Sequence, residues 1–141
     1  MAKKTFFLLT CIFVLSFAYS QSISSTSTVD WSTQSFNSEL MLDIEAAGIN
    51  MPSGRNAAIV KINTNLPALE KDPFLSLYAD SAYSIGDFVL QNQITFEDIS
   101  TVMSQGKKKP GILSSDMGTM TVNHSFLLKD VSALLIKHNA P

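Results

Sequence analysis

Two segments of the chain alternate apolar and polar residues with a period of two. In the first segment, the apolar or small positions are Phe36, Ser38, Leu40, Leu42 and Ile44. In the second segment, they are Gly118, Met120, Val122, His124, Phe126 and Leu128. Such alternation is typical of β-strands that bury one face. Because the other face of the first segment carries carboxylates, the pattern favours an antiparallel sheet with one face in solvent.

Between these strands, the chain changes to helical periodicity behind Pro52 and Ser53. Apolar residues recur there at spacings of three and four, at Ala58, Ile59, Ile62, Leu66 and Leu69. Ser53 is the predicted N-cap, because its hydroxyl can accept a hydrogen bond from a free backbone N–H. Pro67 is expected to kink this helix or split it in two, because proline lacks an N–H and clashes with the preceding turn.

Shorter elements follow along the chain. Ser84–Asp87 and Thr95–Asp98 match the capping box, with Asp in the place of Glu, and each predicts a short helix. Gly106–Gly111 contains three lysines and a proline, which predicts a solvated loop. Val131 to Ile136 is a last apolar segment close to the end of the sequence.

These elements predict an α+β fold, with a small antiparallel sheet and helices packed on one of its faces. The predicted domain covers residues 31–141. Only two strands, near 36–44 and 117–127, are evident, and a two-stranded sheet is of marginal stability. We therefore expect either that the domain is truncated at its C-terminus or that it self-associates or binds a protein partner through an open sheet edge.

The first twenty residues have the pattern of a signal peptide. Lys3 and Lys4 precede an apolar run from Phe6 to Phe17, and small residues near Ser20 offer a cleavage site. The pattern predicts a periplasmic or extracellular protein that meets the membrane only through this segment before cleavage. The alternative is an N-terminal membrane anchor with a lipid on Cys11, although LLTC is a poor lipidation motif.

The segment after the predicted cleavage site is rich in serine and threonine. Residues 21–30 are predicted to form a flexible leader because they contain few residues that could pack. Trp31, the one tryptophan of the chain, is expected to dock on the core at the edge of the domain. Since Cys11 is the only cysteine, residues 21–141 have no disulfide and must rely on a hydrophobic core.

Charge excludes some classes of partner. The formal net charge is −2 at pH 7, and loss of Lys3 and Lys4 with the signal would make the chain more acidic. A weakly acidic domain is a poor candidate for binding nucleic acid or an anionic membrane surface.

Three residues are weak candidates for a ligand-binding site. Ser53 and Arg55 lie at a predicted helix N-terminus, where free amides favour anions. An ordinary cap beside an exposed arginine is the favoured interpretation, because a single arginine without a glycine-rich loop is weak evidence for an anion site. His124 lies on the apolar face of its strand, and no second His, Cys or acid lies nearby at metal-ligand spacing. We therefore expect a hydrogen-bonded core histidine, and the sequence predicts no catalytic residues, no metal site and no cofactor.

Four motifs taken together resemble an uncharacterised family of secreted spirochaete proteins. They are Val29–Ser32, Leu40–Arg55, Asp80–Asp87 and Leu113–Asp116. The resemblance covers most of the chain beyond residue 20 and implies that it is the N-terminal part of a longer family pattern. It implies no assigned catalytic residue.

Two functional hypotheses follow. The first is a non-enzymatic binding or assembly module of the cell envelope, in which we include a host-facing adhesin. The second is a secreted hydrolase, for which His124 and His138 are the available bases. Ser114-Ser115-Asp116 lacks the flanking glycines of a nucleophile elbow, so the sequence favours the first hypothesis.

Overall fold

The computed structural model describes residues 22–139, and the predicted signal segment therefore lies outside the described residues. The elements in chain order are β1 (Ile23–Asp30), β2 (Ser35–Asp43), α1 (Arg55–Leu75), α2 (Ile85–Leu90), α3 (Phe96–Ser104), β3 (Lys107–Lys108), β4 (Ile112–Leu113), β5 (Thr119–Leu127) and α4 (Leu128–Asn139). The α+β prediction is confirmed. None of the helices within residues 22–139 is long and apolar enough to cross a membrane.

The strands form one antiparallel sheet in the order β1-β2-β5-β3, and β4 also pairs with β5. The expected count of two strands is wrong, because β1 is rich in serine and threonine without apolar alternation, and β3 and β4 are only two residues long. An incomplete sheet therefore no longer follows from the strand count. The two predicted strands are confirmed as β2 and β5, and they pair with Leu40 opposite Val122.

Strand β1 corrects the prediction of a flexible leader over residues 21–30. It pairs with β2 along its whole length, from Ile23 opposite Leu42 to Asp30 opposite Ser35. The serine and threonine side chains are compatible with a strand because they need little burial, and the ladder to β2 satisfies the backbone on that side.

The sheet has an inner face, which packs against the helices, and an outer face. On the inner face, the rings of Phe36 and Phe126 stack with centroids 5.1 Å apart, and both contact Phe74 of α1, at 5.4 and 5.3 Å. A second cluster joins Leu40, Leu42, Met120 and Val122 of the strands to Ala58, Ile62 and Leu66 of α1. The first cluster also contains Ile85 of α2, Ile99 and Met103 of α3 and Val131 of α4, so α1 contacts both clusters and the other three helices contact the first.

Helix α1 differs from its prediction in two respects: the effect of Pro67 and the identity of the N-cap. It continues over 21 residues with Pro67 and Pro73 inside it, so Pro67 does not divide it. Its buried positions, among them Leu66 and Phe74, hold the helix on the sheet despite the missing donors. The helix begins at Arg55 after Gly54, and no side chain caps it, so the predicted N-cap role of Ser53 is wrong.

Other local predictions have mixed outcomes. Both capping boxes are present, at Ser84 with Asp87 and at Thr95 with Asp98. The lysine segment is not entirely loop, because Lys107–Lys108 pairs with β5. The docking of Trp31 on the core is wrong: the residue lies in the turn between β1 and β2 and is 68% exposed.

Candidate functional site

The structure gives Ser53 and Arg55 local structural contacts. Arg55 Nη2 donates a hydrogen bond to the Gly111 carbonyl oxygen at 2.7 Å, which joins the start of α1 to the loop before β4. The Ser53 hydroxyl faces the Asn50 carbonyl oxygen at 3.4 Å. The guanidinium is therefore engaged with a neutral carbonyl, and the two side chains do not converge on a common anion site.

His124 is buried on the inner face and bonded to Glu70, a residue that the sequence analysis did not select. His124 Nδ1 lies 2.8 Å from Glu70 Oε1, and both side chains have no solvent exposure. Glu70 lies on α1 midway between Leu66 and Phe74, which are both buried. Glu70 is four residues from each of them. This helical spacing is the sequence signal that predicts a position on the inner face.

The surroundings of this pair close it from every side. A Cβ atom at Gly106 would collide with His124 Nε2 and would lie 2.8 Å from the Ser125 carbonyl oxygen. His124 Nε2 and Glu70 Oε2 are buried and have no hydrogen-bond partner in the structure. A histidine–carboxylate pair can serve as a general base, but a substrate has no access to this one. Within residues 22–139 there is also no group of three or more His, Cys, Asp or Glu side chains that could hold a metal ion.

The free side of β1 carries backbone groups that do not bond to β2. Asp43 N–H donates to the Ser22 carbonyl at 2.8 Å, which makes these opposed residues a hydrogen-bonded pair. Hydrogen-bonded pairs alternate along an antiparallel ladder, so Ser24, Thr26 and Thr28 also bond to β2. The residues between them direct their backbone N–H and C=O groups away from β2. We call these outward groups the β1 edge; they belong to Ile23, Ser25, Ser27 and Val29.

No strand within residues 22–139 pairs with the β1 edge. Edge strands are usually protected by charged side chains, proline, a bulge or short length. β1 extends over eight residues, carries no charge between Ile23 and Val29, and contains no proline. Its ladder with β2 is also regular, without a skipped residue. By these criteria, the β1 edge is open to an added strand.

Side-chain contacts hold β1 firmly in the sheet. The Ser25 hydroxyl donates to the Leu69 carbonyl oxygen of α1 at 3.2 Å. The hydroxyls of Ser27 and Ser38 lie 2.9 Å apart across the β1–β2 pair. These contacts fix the inward side of the strand, so its outward groups are presented in an extended, pre-arranged row.

One end of β1 is fixed by a turn built on Asp30. A carboxylate oxygen of Asp30 accepts hydrogen bonds from the hydroxyl and backbone N–H of Ser32 and from the N–H of Thr33. These contacts lower the pKa of Asp30 from 3.8 to about 2, and the Ser32 hydroxyl has the largest effect. The turn places the only charge of β1 at the end of the strand.

The outer face of the sheet continues from β1 as a polar surface. A groove of about 450 Å³ lies across it. Its lining includes Thr26 and Thr28 of β1, Asn37 and Glu39 of β2, Asn123 and Ser125 of β5, and Lys109. The alternation of the sequence predicted a solvent-facing side here, and exposed Glu39 and Asp43 confirm it.

Sequence comparison identifies the family. Residues 22–134 match the family model described as Treponema pallidum Tp0624, N-terminal domain. The chain belongs to this family. The match spans all five strands and confirms the resemblance to an uncharacterised spirochaete family. A comparison with curated proteins gives no significant match.

Proposed function

We propose that this protein is an exported, non-enzymatic binding or assembly module of the cell envelope, and that it binds a polypeptide strand along the β1 edge. The observation that supports the proposal is the row of outward backbone groups from Ile23 to Val29, none of which is used by another strand within residues 22–139.

An extended polypeptide is the ligand whose chemistry fits this row. Its own N–H and C=O groups repeat at the same spacing, so each outward group of β1 can gain a partner. In strand addition, main-chain hydrogen bonds provide affinity, and side chains on alternate positions provide specificity. The neutral side chains between Ile23 and Val29 add no charge that a bound strand would have to desolvate.

Binding is favoured over catalysis by the position of the histidine–carboxylate pair. His124 and Glu70 are enclosed between α1 and β5, where both side chains are fully buried and a substrate cannot reach them. Export is supported by the sequence pattern of residues 1–20, which combines basic residues, an apolar run and small residues near Ser20. N-terminal sequencing of the exported protein tests export, and a protein that retains residues 1–20 would contradict cleavage.

Photo-cross-linking tests strand binding directly. A photoreactive residue placed at Thr28, on the edge strand, should give a covalent adduct with a polypeptide in the cells that make the protein. The same residue placed at exposed Glu97 of α3 is the positional control. An equal yield at the two positions, or no adduct at Thr28, would contradict the proposal.

A backbone variant makes the test specific to the edge. Ser27→Pro removes one outward N–H, and proline is tolerated where an edge N–H faces solvent. It should reduce the Thr28 adduct strongly. Ser27→Ala removes the same hydroxyl but keeps the N–H, and it should leave the adduct unchanged. If both variants behave alike, the backbone of β1 is not the binding element.

A further inference from the structure

We propose that the strand that binds at the β1 edge is β1 of a second copy of this chain, antiparallel and in the register that places Thr26 opposite the partner's Thr26. The inference rests on the proposed function and adds the identity and register of the bound strand. It follows from the sequence of β1 and from which of its backbone groups face outward.

The direction of the backbone groups selects the register. In an antiparallel pair, two residues exchange hydrogen bonds only when both direct their backbone groups toward the other strand. With Thr26 on the twofold axis, Ile23 lies opposite the partner's Val29, and Ser25 lies opposite the partner's Ser27. Every outward residue of the β1 edge is then paired with another outward residue. Shifting the axis to Ser25 or Ser27 would move one end of the edge beyond the partner's β1.

The side chains agree with the same register. On the inner face, Ile23 meets the partner's Val29, so an apolar residue is matched with an apolar residue at each end. On the outer face, Thr26 meets the partner's Thr26, and Thr–Thr pairs are favourable across strands. The pairing therefore places like side chains together on both faces.

Charge also permits the pairing. Asp30 is the one charged residue of β1, and the register places it opposite the partner's Ser22. The two Asp30 side chains then lie at opposite ends of the interface, about 27 Å apart at 3.4 Å per residue. Charges beyond the Debye length of about 8–10 Å are largely screened, so the two β1 strands bring no like charges of their own together.

The opposite side of the sheet is protected against the same event. It is formed by the two-residue strands β3 and β4. Lys107 and Lys108 make up β3, and Pro110 separates β3 from β4. Short strands, lysine and proline are features that prevent edge-to-edge pairing. Self-association is therefore expected through β1. Because both copies use the same edge, the result is a closed twofold dimer rather than an open fibre.

Cysteine cross-linking tests the register. The full chain with Cys11→Ser has no cysteine, so an introduced one is unique. Thr26→Cys would place two cysteines opposite each other at a non-hydrogen-bonded pair, where the Cα atoms lie about 4.5 Å apart, within disulfide range. Mild oxidation should convert most of this variant into a covalent dimer.

Neighbouring positions provide the matched controls. Ser24→Cys and Thr28→Cys should each give little dimer alone, because the register separates each from its own copy by four residues, about 13 Å. A mixture of the two variants should give a covalent heterodimer, because Ser24 lies opposite the partner's Thr28. Equal dimer yields at all three positions, or no dimer with Thr26→Cys, would overturn the proposal.

A charge variant tests the dimer without a covalent bond. Thr26→Lys would face Glu39 on β2 within the same chain, so the fold should be retained. In the dimer, it would oppose the partner's identical lysine. Sedimentation velocity should show at least a tenfold weaker dimer than for Thr26→Ser. Equal association of the two variants would contradict the register.

The cross-link at Thr28 separates failure of this inference from failure of the proposed function. If mass spectrometry finds a different polypeptide in the Thr28 adduct and Thr26→Cys gives no dimer, strand binding is supported and self-pairing is wrong. If the Thr28 adduct contains this chain, both are supported. If the Thr28 position gives no adduct at all, strand binding and self-pairing are both contradicted.

Discussion

The Ser25 hydroxyl on β1 donates a hydrogen bond to the Leu69 carbonyl oxygen on α1 at 3.2 Å. In a regular helix, this carbonyl would accept the N–H of the residue four positions later. That residue is Pro73, whose nitrogen carries no hydrogen. The edge strand therefore supplies a donor that the proline removes, and this contact joins β1 to α1.

This relationship predicts a coupling between Ser25 and Pro73. Ser25→Ala should destabilise the protein by about 1 kcal/mol, the usual net value of a hydrogen bond. In a Pro73→Ala background, the helix recovers its own donor, so Ser25→Ala should cost clearly less. Urea unfolding of the two single variants and the double variant measures the coupling.

Ser24→Ala is the control for that cycle. Ser24 is exposed on the outer face beside Ser25, and a surface change usually stays within about 0.5 kcal/mol. If Ser24→Ala and Ser25→Ala reduce the free energy of unfolding equally, the contact with Leu69 does not stabilise β1.

Glu70 and His124 form the second pair with a measurable coupling. Glu70→Leu or His124→Leu alone leaves the other polar group buried without its partner, which should cost about 1–3 kcal/mol. The double variant replaces the pair with apolar side chains, so its loss should fall short of the summed single losses by about 1–3 kcal/mol. Additive losses in thermal or urea unfolding would show that the two groups act independently.

Gly106 is expected to tolerate no larger residue. In Gly106→Ala, the new Cβ would collide with His124 Nε2 and would approach the Ser125 carbonyl oxygen to 2.8 Å. Overpacking of this kind typically costs about 1–3 kcal/mol. Gly118→Ala is the matched control, because its Cβ would meet only the Asp116 carboxylate, at an ordinary distance of 3.4 Å. A Gly106→Ala protein that melts at the temperature of Gly118→Ala would contradict the close packing on His124.

The sequence predicted the central strands and short helices because their signals are local. Strands β2 and β5 alternate residue by residue, and each capping box needs only four consecutive positions. β1 has no such signal, since its inner positions include Ser25 and Ser27, whose burial depends on partners in α1 and β2. Strands β3 and β4 are too short for any periodicity.

The candidate site was partly visible in the sequence. The sequence predicts an open sheet edge but does not place it on β1, because the serine- and threonine-rich composition of residues 21–30 predicts a flexible leader. The Glu70–His124 pair joins residues 54 positions apart, a contact that no local pattern specifies. The burial of His124 could be predicted from its strand, whereas its partner required the packing of α1 on the sheet.

The turn at Asp30, at the end of β1, predicts how the stability of the folded protein depends on pH. Hydrogen bonds, above all from the Ser32 hydroxyl, lower the pKa of Asp30 from 3.8 to about 2 in the folded protein. The folded state therefore binds this proton more weakly than the unfolded state. The stabilisation is present above about pH 4 and is lost as the pH falls through about 2.

Asp30→Asn removes the charge and keeps an acceptor oxygen. The variant should be less stable than the wild type above about pH 4, and the difference should shrink toward zero near pH 2. Urea unfolding over this pH range measures it. Ser32→Ala should raise the pKa of Asp30 toward its ordinary value, which an NMR titration of the carboxyl carbon reads directly. If the free energies of unfolding of Asp30→Asn and wild type differ by the same amount at every pH, the carboxylate charge does not stabilise the turn.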